Sequence, residues 1–173
     1  MTRENFRIKL ELITQEDTPF IVKWRNNEKV RKNFIFQEKF TEKMHLNWLN
    51  TKVASKEVVQ FIIKIKENNK PIGSVYFRDI DYSKKQAEYG IFIGEDNARG
   101  KGYGTEAVKL ALDYAFNTLN LETIILRVFA DNKSAINSYE SAGFVFDRIE
   151  KDFVKTNTGT KDLVFMKIKR EKK

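Results

Sequence analysis

Three of the eight glycines in this 173-residue chain fall within five positions: Gly100, Gly102 and Gly104. They separate an alternating run, "QAEYGIFIG", from a helical one, "TEAVKLALDYAF". A turn alone needs one or two glycines. Three of them, beside Arg99 and Lys101, point to backbone that takes up positive φ and lies close to a ligand. The helix that follows opens with unpaired N–H groups and the positive end of its dipole, worth about 0.3–1 kcal/mol per anion contact. Amides and flanking cations together make a pocket for phosphate oxygens, most naturally a pyrophosphate. Gly102-Tyr103-Gly104-Thr105-Glu106-Ala107 satisfies G-x-G-x-x-A literally, yet a dinucleotide fold opens with that turn and repeats strand–helix units after it. Here three strand-like runs come first and too little chain follows. A P-loop is excluded, because no glycine is followed by Lys and then Ser or Thr.

The rest of the pattern surrounds this unit. Residues 6–13 alternate as a strand, and Thr14, Glu16 and Asp17 open a short helix. Residues 28–40 carry no decisive signal. Residues 41–54 read as a helix with Met44, Trp48 and Leu49 turned inward. Residues 57–67 and 71–80 read as a hairpin, and 86–94 as a third consecutive strand. The helix after the glycines extends to about Asn120, with Ala107, Ala111 and Ala115 in a row that allows close approach to a sheet. Val108, Leu112 and Leu119 complete its buried stripe. A strand over 122–130, a helix closed by Gly143, a strand over 144–154, a turn at 157–159 and a last strand over 162–170 follow. The order β α α β β β α β α β β predicts an α+β domain over residues 1–173, with one mixed sheet of about seven strands flanked by helices.

The net charge of +8 suits an anionic partner or plain solubility. The lysines are spread along the chain instead of gathered with aromatics, so no nucleic-acid partner is expected. No apolar run approaches a membrane span, and no membrane partner is expected. The chain has no cysteine, which excludes a disulfide, a thiolate metal site and a cysteinyl acyl intermediate, and fits the cytoplasm. The one histidine, His45, is expected at or near the surface and not as a base, and no metal is expected. The tail over 167–173 is expected to fray.

At this point the residues resemble a known family. "RGKGYGTEA" is similar to the Arg/Gln-x-x-Gly-x-Gly/Ala signature of the GNAT N-acetyltransferases, with Arg99, Gly102 and Gly104 in the signature positions. "NKSAINSYESAGF" resembles the family's second motif through Asn132, Ala135, Tyr139, Gly143 and Phe144. "WRNNEKVRKNF" followed by "HLNWL" looks most like the ribosomal-protein and amino-sugar acetyltransferase branch.

The resemblance implies acetyl-CoA as cosubstrate, with its pyrophosphate on backbone amides of Arg99, Gly100, Lys101, Gly102, Tyr103, Gly104 and Thr105. It implies that the strands over 86–94 and 122–130 splay apart, so that pantetheine pairs with the first. The thioester carbonyl would then meet an amide among Ile93, Gly94 and Glu95. Asn132 would contact pantetheine, cap its helix, or do both, with Ser134 and Asn137 as further cofactor-side residues. Trp24, Phe34 and Phe36 would stand beside the acceptor pocket.

Direct transfer needs a neutral amine, a polarised carbonyl and a proton for the leaving thiolate. Tyr139 is the candidate general acid, against the reading of a buried packing tyrosine. Glu88 is the candidate base. Alternation sets it with Gly90 and Phe92 on the face opposite Ala87, Tyr89, Ile91 and Ile93, toward the mouth of the splay. Its rival reading is a partner for a lysine or arginine. The expected reaction is acetyl transfer to a primary amine of a small molecule or peptide. A ribosomal-protein-like terminus or an amino sugar leads. A nucleotide-linked amino sugar, a polyamine and an aminoglycoside stay open, and basic character disfavours the polyamine. An inert acyl-CoA-binding or regulatory domain is the other class. A monomer or homodimer is expected.

Overall fold

The computed structural model describes residues 5–156 and 159–172. The early alternating runs form an antiparallel set: β1 (Ile8–Leu12), β2 (Val59–Ile65), β3 (Pro71–Asp81) and β4 (Gln86–Ile93). Between β1 and β2 lie α1 (Thr18–Asn26), α2 (Glu28–Arg31) and α3 (Glu42–Trp48). The four-residue α2 is a helix beyond the two expected there. Asn27 caps it by accepting from the Lys29 amide. After the glycines come α4 (Tyr103–Asn117), β5 (Thr123–Phe129), α5 (Lys133–Ser141), β6 (Val145–Thr156) and β7 (Gly159–Lys169). The seven strands form one sheet in the order β1-β2-β3-β4-β5-β7-β6. The turn expected at 157–159 involves Asn157 and Thr158, which lie outside the described residues.

The decisive feature is a break in the middle of this sheet. β4 and β5 are parallel and pair only from Gln86–Thr123 to Glu88–Ile125. Beyond that point β4 stays on β3 up to Ile93, while β5 stays on β7 through Phe129. The two strands therefore diverge like a V, each held by its outer neighbour.

Both faces of the sheet are covered. Ala107, Ala111 and Ala115 are fully buried where α4 lies on one face, as the small-residue row requires. On the other face, Ile21, Trp24, Val30, Ile62 and Phe92 form a smaller cluster under α1 and α2. The inward face of α3 is offset from the expected one. Met44 is exposed, while His45 is buried because its Nδ1 meets the buried Thr18 hydroxyl at 2.9 Å. The first part of the tail, up to Arg170, is also more ordered than expected. β7 includes Lys167–Lys169, and the Arg170 amide donates to the Glu122 carbonyl at 2.8 Å. Edge strand β6 leaves Val145, Phe146, Ile149 and Phe153 exposed. Among the described residues no helix is long and apolar enough to cross a membrane.

Candidate active site

A cavity of about 1130 Å³ runs through the split, from the glycine loop to the helices α1–α3. At the loop end, Gly100 and Gly102 have φ of +74° and +85°, where only glycine is unstrained. Gly104 has a different reason. Its backbone needs no glycine, and an added Cβ would meet nothing nearer than the Ile91 Cδ1 at 4.0 Å. Its missing side chain leaves open space directly over the first turn of α4. The amides of that turn have no helical partner.

Two arginines fix this loop. The Arg99 guanidinium turns back, donating to the Ile93 carbonyl at 2.9 Å and the Gly94 carbonyl at 3.2 Å, and pairing with Asp96. Its charge is therefore committed to the end of β4 and does not stand free beside the loop amides, as the sequence suggested. Arg7 does the equivalent from β1's flank. It donates to the Lys101 carbonyl at 2.8 Å, clasps Glu106 through its backbone and side chain, and lies 4.4 Å over the Tyr103 ring. Nothing in the sequence marked Arg7. It occupies an ordinary polar position in the alternating run over residues 6–13, just ahead of β1, and its partners are about a hundred residues away.

At the strand end, only one of the three expected amides is available. The Gly94 and Glu95 amides both donate to the Ile72 carbonyl, at 2.7 and 3.2 Å. Antiparallel alternation then turns the Ile93 amide to the opposite side, toward the split. Glu95 serves as a strut, accepting from the Trp24 indole at 2.9 Å. Trp24 itself is fully buried beneath Gly94, where a Cβ would lie 2.0 Å from its ring. It is a packing residue and not a wall of the acceptor pocket.

Tyr139 reaches the cavity from α5, and its motif is a helix-ending device. Gly143, at φ +106°, donates to the Glu140 carbonyl at 3.0 Å, and the Phe144 amide donates to the Tyr139 carbonyl at 3.0 Å. These paired bonds form a Schellman cap, and the accompanying apolar contact is the Phe144 ring, 5.8 Å from that of Tyr139. The spacing Tyr-x-x-x-Gly-Phe thus positions the tyrosine. Tyr89 packs edge-on against it, 6.4 Å away, with a buried hydroxyl that has no hydrogen-bond partner among the described residues. Burial raises the Tyr139 phenol well above its ordinary range and keeps it protonated. Asn132 caps α5 by accepting from the Ala135 amide at 3.3 Å. Ser134 and Asn137 line the cavity nearby.

The other side of the cavity is built on β3, β4 and β5. Glu88 forms a two-point pair with Arg127, at 3.0 and 3.1 Å. Tyr76 lies flat over Gly90, where an added Cβ would be 2.2 Å from its ring. The Arg25 guanidinium sits between the Phe34 and Phe40 rings, at 3.9 and 4.5 Å. Phe34 and Phe36 line the cavity, Phe36 at its exposed margin. His45 lines it as well, held neutral by burial first and by Arg25 second, which lower its pKa to about 4.

The sequence matches the family described as "Acetyltransferase (GNAT) domain" over residues 7–145. It is 31% identical over 142 residues to a spermidine N(1)-acetyltransferase of Vibrio cholerae, covering 82% of this chain and 80% of that one. The crystal structure of the Vibrio cholerae spermidine N-acetyltransferase with CoA and spermine superposes with a TM-score of 0.88. The two share 26% identity, over 94% of this chain and 95% of that one. A dodecameric structure of spermidine N-acetyltransferase from that organism superposes at 0.81, with 27% identity over 94% of each chain. These relatives do not single out the ribosomal-protein and amino-sugar branch. That assembly is also larger than the monomer or homodimer expected from the sequence.

Proposed function

The chain belongs to the GNAT acetyltransferase family and is an acetyl-CoA-dependent N-acetyltransferase, and from that premise we propose direct transfer with Tyr139 as acid and Glu88 as base. The observation that carries the reading is the split itself. Its one free strand-end amide, its buried tyrosine and its glycine loop all open onto a single cavity.

The cosubstrate fits these residues. The space over Gly104 and the unpaired amides of the α4 first turn would hold a pyrophosphate, and the split edge of β4 would pair with pantetheine. When bound, acetyl-CoA supplies an activated acetyl group as a thioester. The Ile93 N–H is the donor available to a carbonyl oxygen at the strand end. The Tyr139 phenol, kept protonated by burial, gives its proton to the leaving sulfur. Glu88 is held in place by Arg127. Each of its oxygens keeps a second lone pair for the amine proton, directly or through one water.

The acceptor is a primary amine entering from the α1–α3 side. Spermidine is the acceptor named for the relative and belongs in the first assay, beside an amino sugar, an aminoglycoside and a peptide terminus. The test is thiol release from acetyl-CoA over that panel by the parent protein and by Tyr139→Phe. Loss of about 10²–10⁴ in kcat, with acetyl-CoA affinity retained, is expected for the acid. An inert binding domain would take up acetyl-CoA, release no thiol with any amine, and be indifferent to the substitution.

A further inference from the structure

The described residues lining the cavity bring six cationic side chains and a single carboxylate, that of Glu88. The imbalance is concentrated on the acceptor side. Glu88 is already matched by Arg127. Arg78 meets one carboxylate among the described residues, that of its chain neighbour Asp79, 3.3 Å away with a side chain 74% exposed, and lies 5.9 Å over the Trp48 ring. Arg25 has no carboxylate partner and no hydrogen-bond acceptor among the described residues. It is held instead by the faces of Phe34 and Phe40. Tyr76 and Arg78 stand two residues apart on β3, paired with Gly90 and Glu88 of β4, and with Arg25 and Arg127 they line the same cavity.

That arrangement is costly unless something answers it. Two like charges share a partly enclosed chamber, and one of them has lost hydration to aromatic rings without gaining an anion. A guanidinium fixed between two rings has little freedom left to lose. It presents a planar fork suited to two-point contact with a carboxylate or a phosphate. A polycation entering the same chamber would meet Arg25 and Arg78 head-on, with only the shared Glu88 to attract it.

We propose that Arg25 and Arg78, with the Tyr76 hydroxyl, form a subsite for an acidic group carried by the acceptor. The favoured substrate is then an amine that also bears a carboxylate or a phosphate, and not a polyamine. This rests on the transferase reading above, whose Glu88 marks where the amine must lie. The acid would bind beyond it, toward α1 and α3. The subsite departs from the acceptor named for the relatives, and the departure is written in residues that the acetyl-CoA half of the cavity does not use.

Two measurements test it. In the first, steady-state rates are compared for glucosamine 6-phosphate, for glutamate-bearing dipeptides, for uncharged glucosamine and for spermidine. At least a tenfold advantage in kcat/KM is expected for one acid-bearing amine over glucosamine, and the phosphate and carboxylate arms tell which acid is meant. In the second, each amine is titrated into the protein loaded with free CoA, where no transfer can occur. Arg78→Gln and Arg25→Lys should each weaken the acid-bearing amine about tenfold and narrow its margin over glucosamine. Arg78→Gln guards against a folding defect at the sandwiched Arg25. Spermidine used in preference to every acid-bearing amine would overturn the subsite and leave the transferase intact. Acid-bearing amines that bind the CoA complex in an Arg78-dependent way, yet are never acetylated, would sustain the subsite and overturn the transferase chemistry.

Discussion

Gly104 separates what the fold needs from what the ligand needs. Gly100 and Gly102 are required by their positive φ, and any side chain there would strain the loop. Gly104 sits in a helical first turn with open space in front of it. Alanine in a helix is favoured over glycine by up to about 1 kcal/mol. Gly104→Ala should therefore unfold at equal or higher denaturant concentration while binding acetyl-CoA at least several-fold more weakly. A variant that gains stability and keeps full affinity would remove Gly104 from the phosphate site. His45 gives a second residue-scale test. Its folded pKa of about 4 lies below the ordinary value of 6.5, so the unfolded chain binds its proton first as pH falls. Stability from this group is complete above pH 6.5 and declines toward pH 4, with a slope approaching about 1.4 kcal/mol per pH unit. Urea denaturation at pH 7, 6 and 5 should show the decline, and His45→Gln should flatten it. An equal slope in the variant would assign the acid sensitivity elsewhere.

At the scale of elements, the second motif is a cap before it is a catalytic signature. Gly143→Ala would force a side chain into φ +106° and set its Cβ 3.1 Å from the Ile168 Cδ1. A loss of about 1–2 kcal/mol is expected. Because the cap holds Phe144 against Tyr139, kcat should fall too, with little change in the KM for acetyl-CoA. A stable variant with unaltered kcat would show that α5 positions Tyr139 without its cap. This is also where legibility divides. Strand alternation, the alanine row and the glycine punctuation gave the element order almost throughout, because each depends on near neighbours. The α3 face differs from the sequence expectation because a buried histidine satisfied by Thr18, 27 residues away, outweighs the apolarity of Met44. Arg7 is invisible in the sequence, and Gly94 and Glu95 read there as free, for one reason. Which backbone or charged group is already engaged depends on strands brought together from distant sequence. Trp24 looked like a pocket aromatic because composition does not say on which side of Gly94 a ring packs.

The whole molecule sets the field in which these parts operate. Its net charge is +8, and six cationic side chains line the cavity against the single carboxylate of Glu88. A cosubstrate carrying phosphates is drawn toward such a surface, and the attraction reaches across the protein only at low salt. The Debye length is about 30 Å at 0.01 M and about 8 Å at 0.15 M. Raising ionic strength over that interval should lower kcat/KM for acetyl-CoA several-fold while kcat stays level, because steering acts on encounter and not on chemistry. The acceptor supplies the sharper discrimination. With acetyl-CoA saturating, an acid-bearing amine should lose kcat/KM as salt rises, for the same reason. A polycationic amine should gain, since screening relieves its repulsion from Arg25 and Arg78. Opposite signs of the salt slope for two acceptors at one site can come only from the charge of the site itself. A falling slope for spermidine would mean that the acceptor entrance is effectively acidic, and that the arginines of the chamber are neutralised by groups on the route into it.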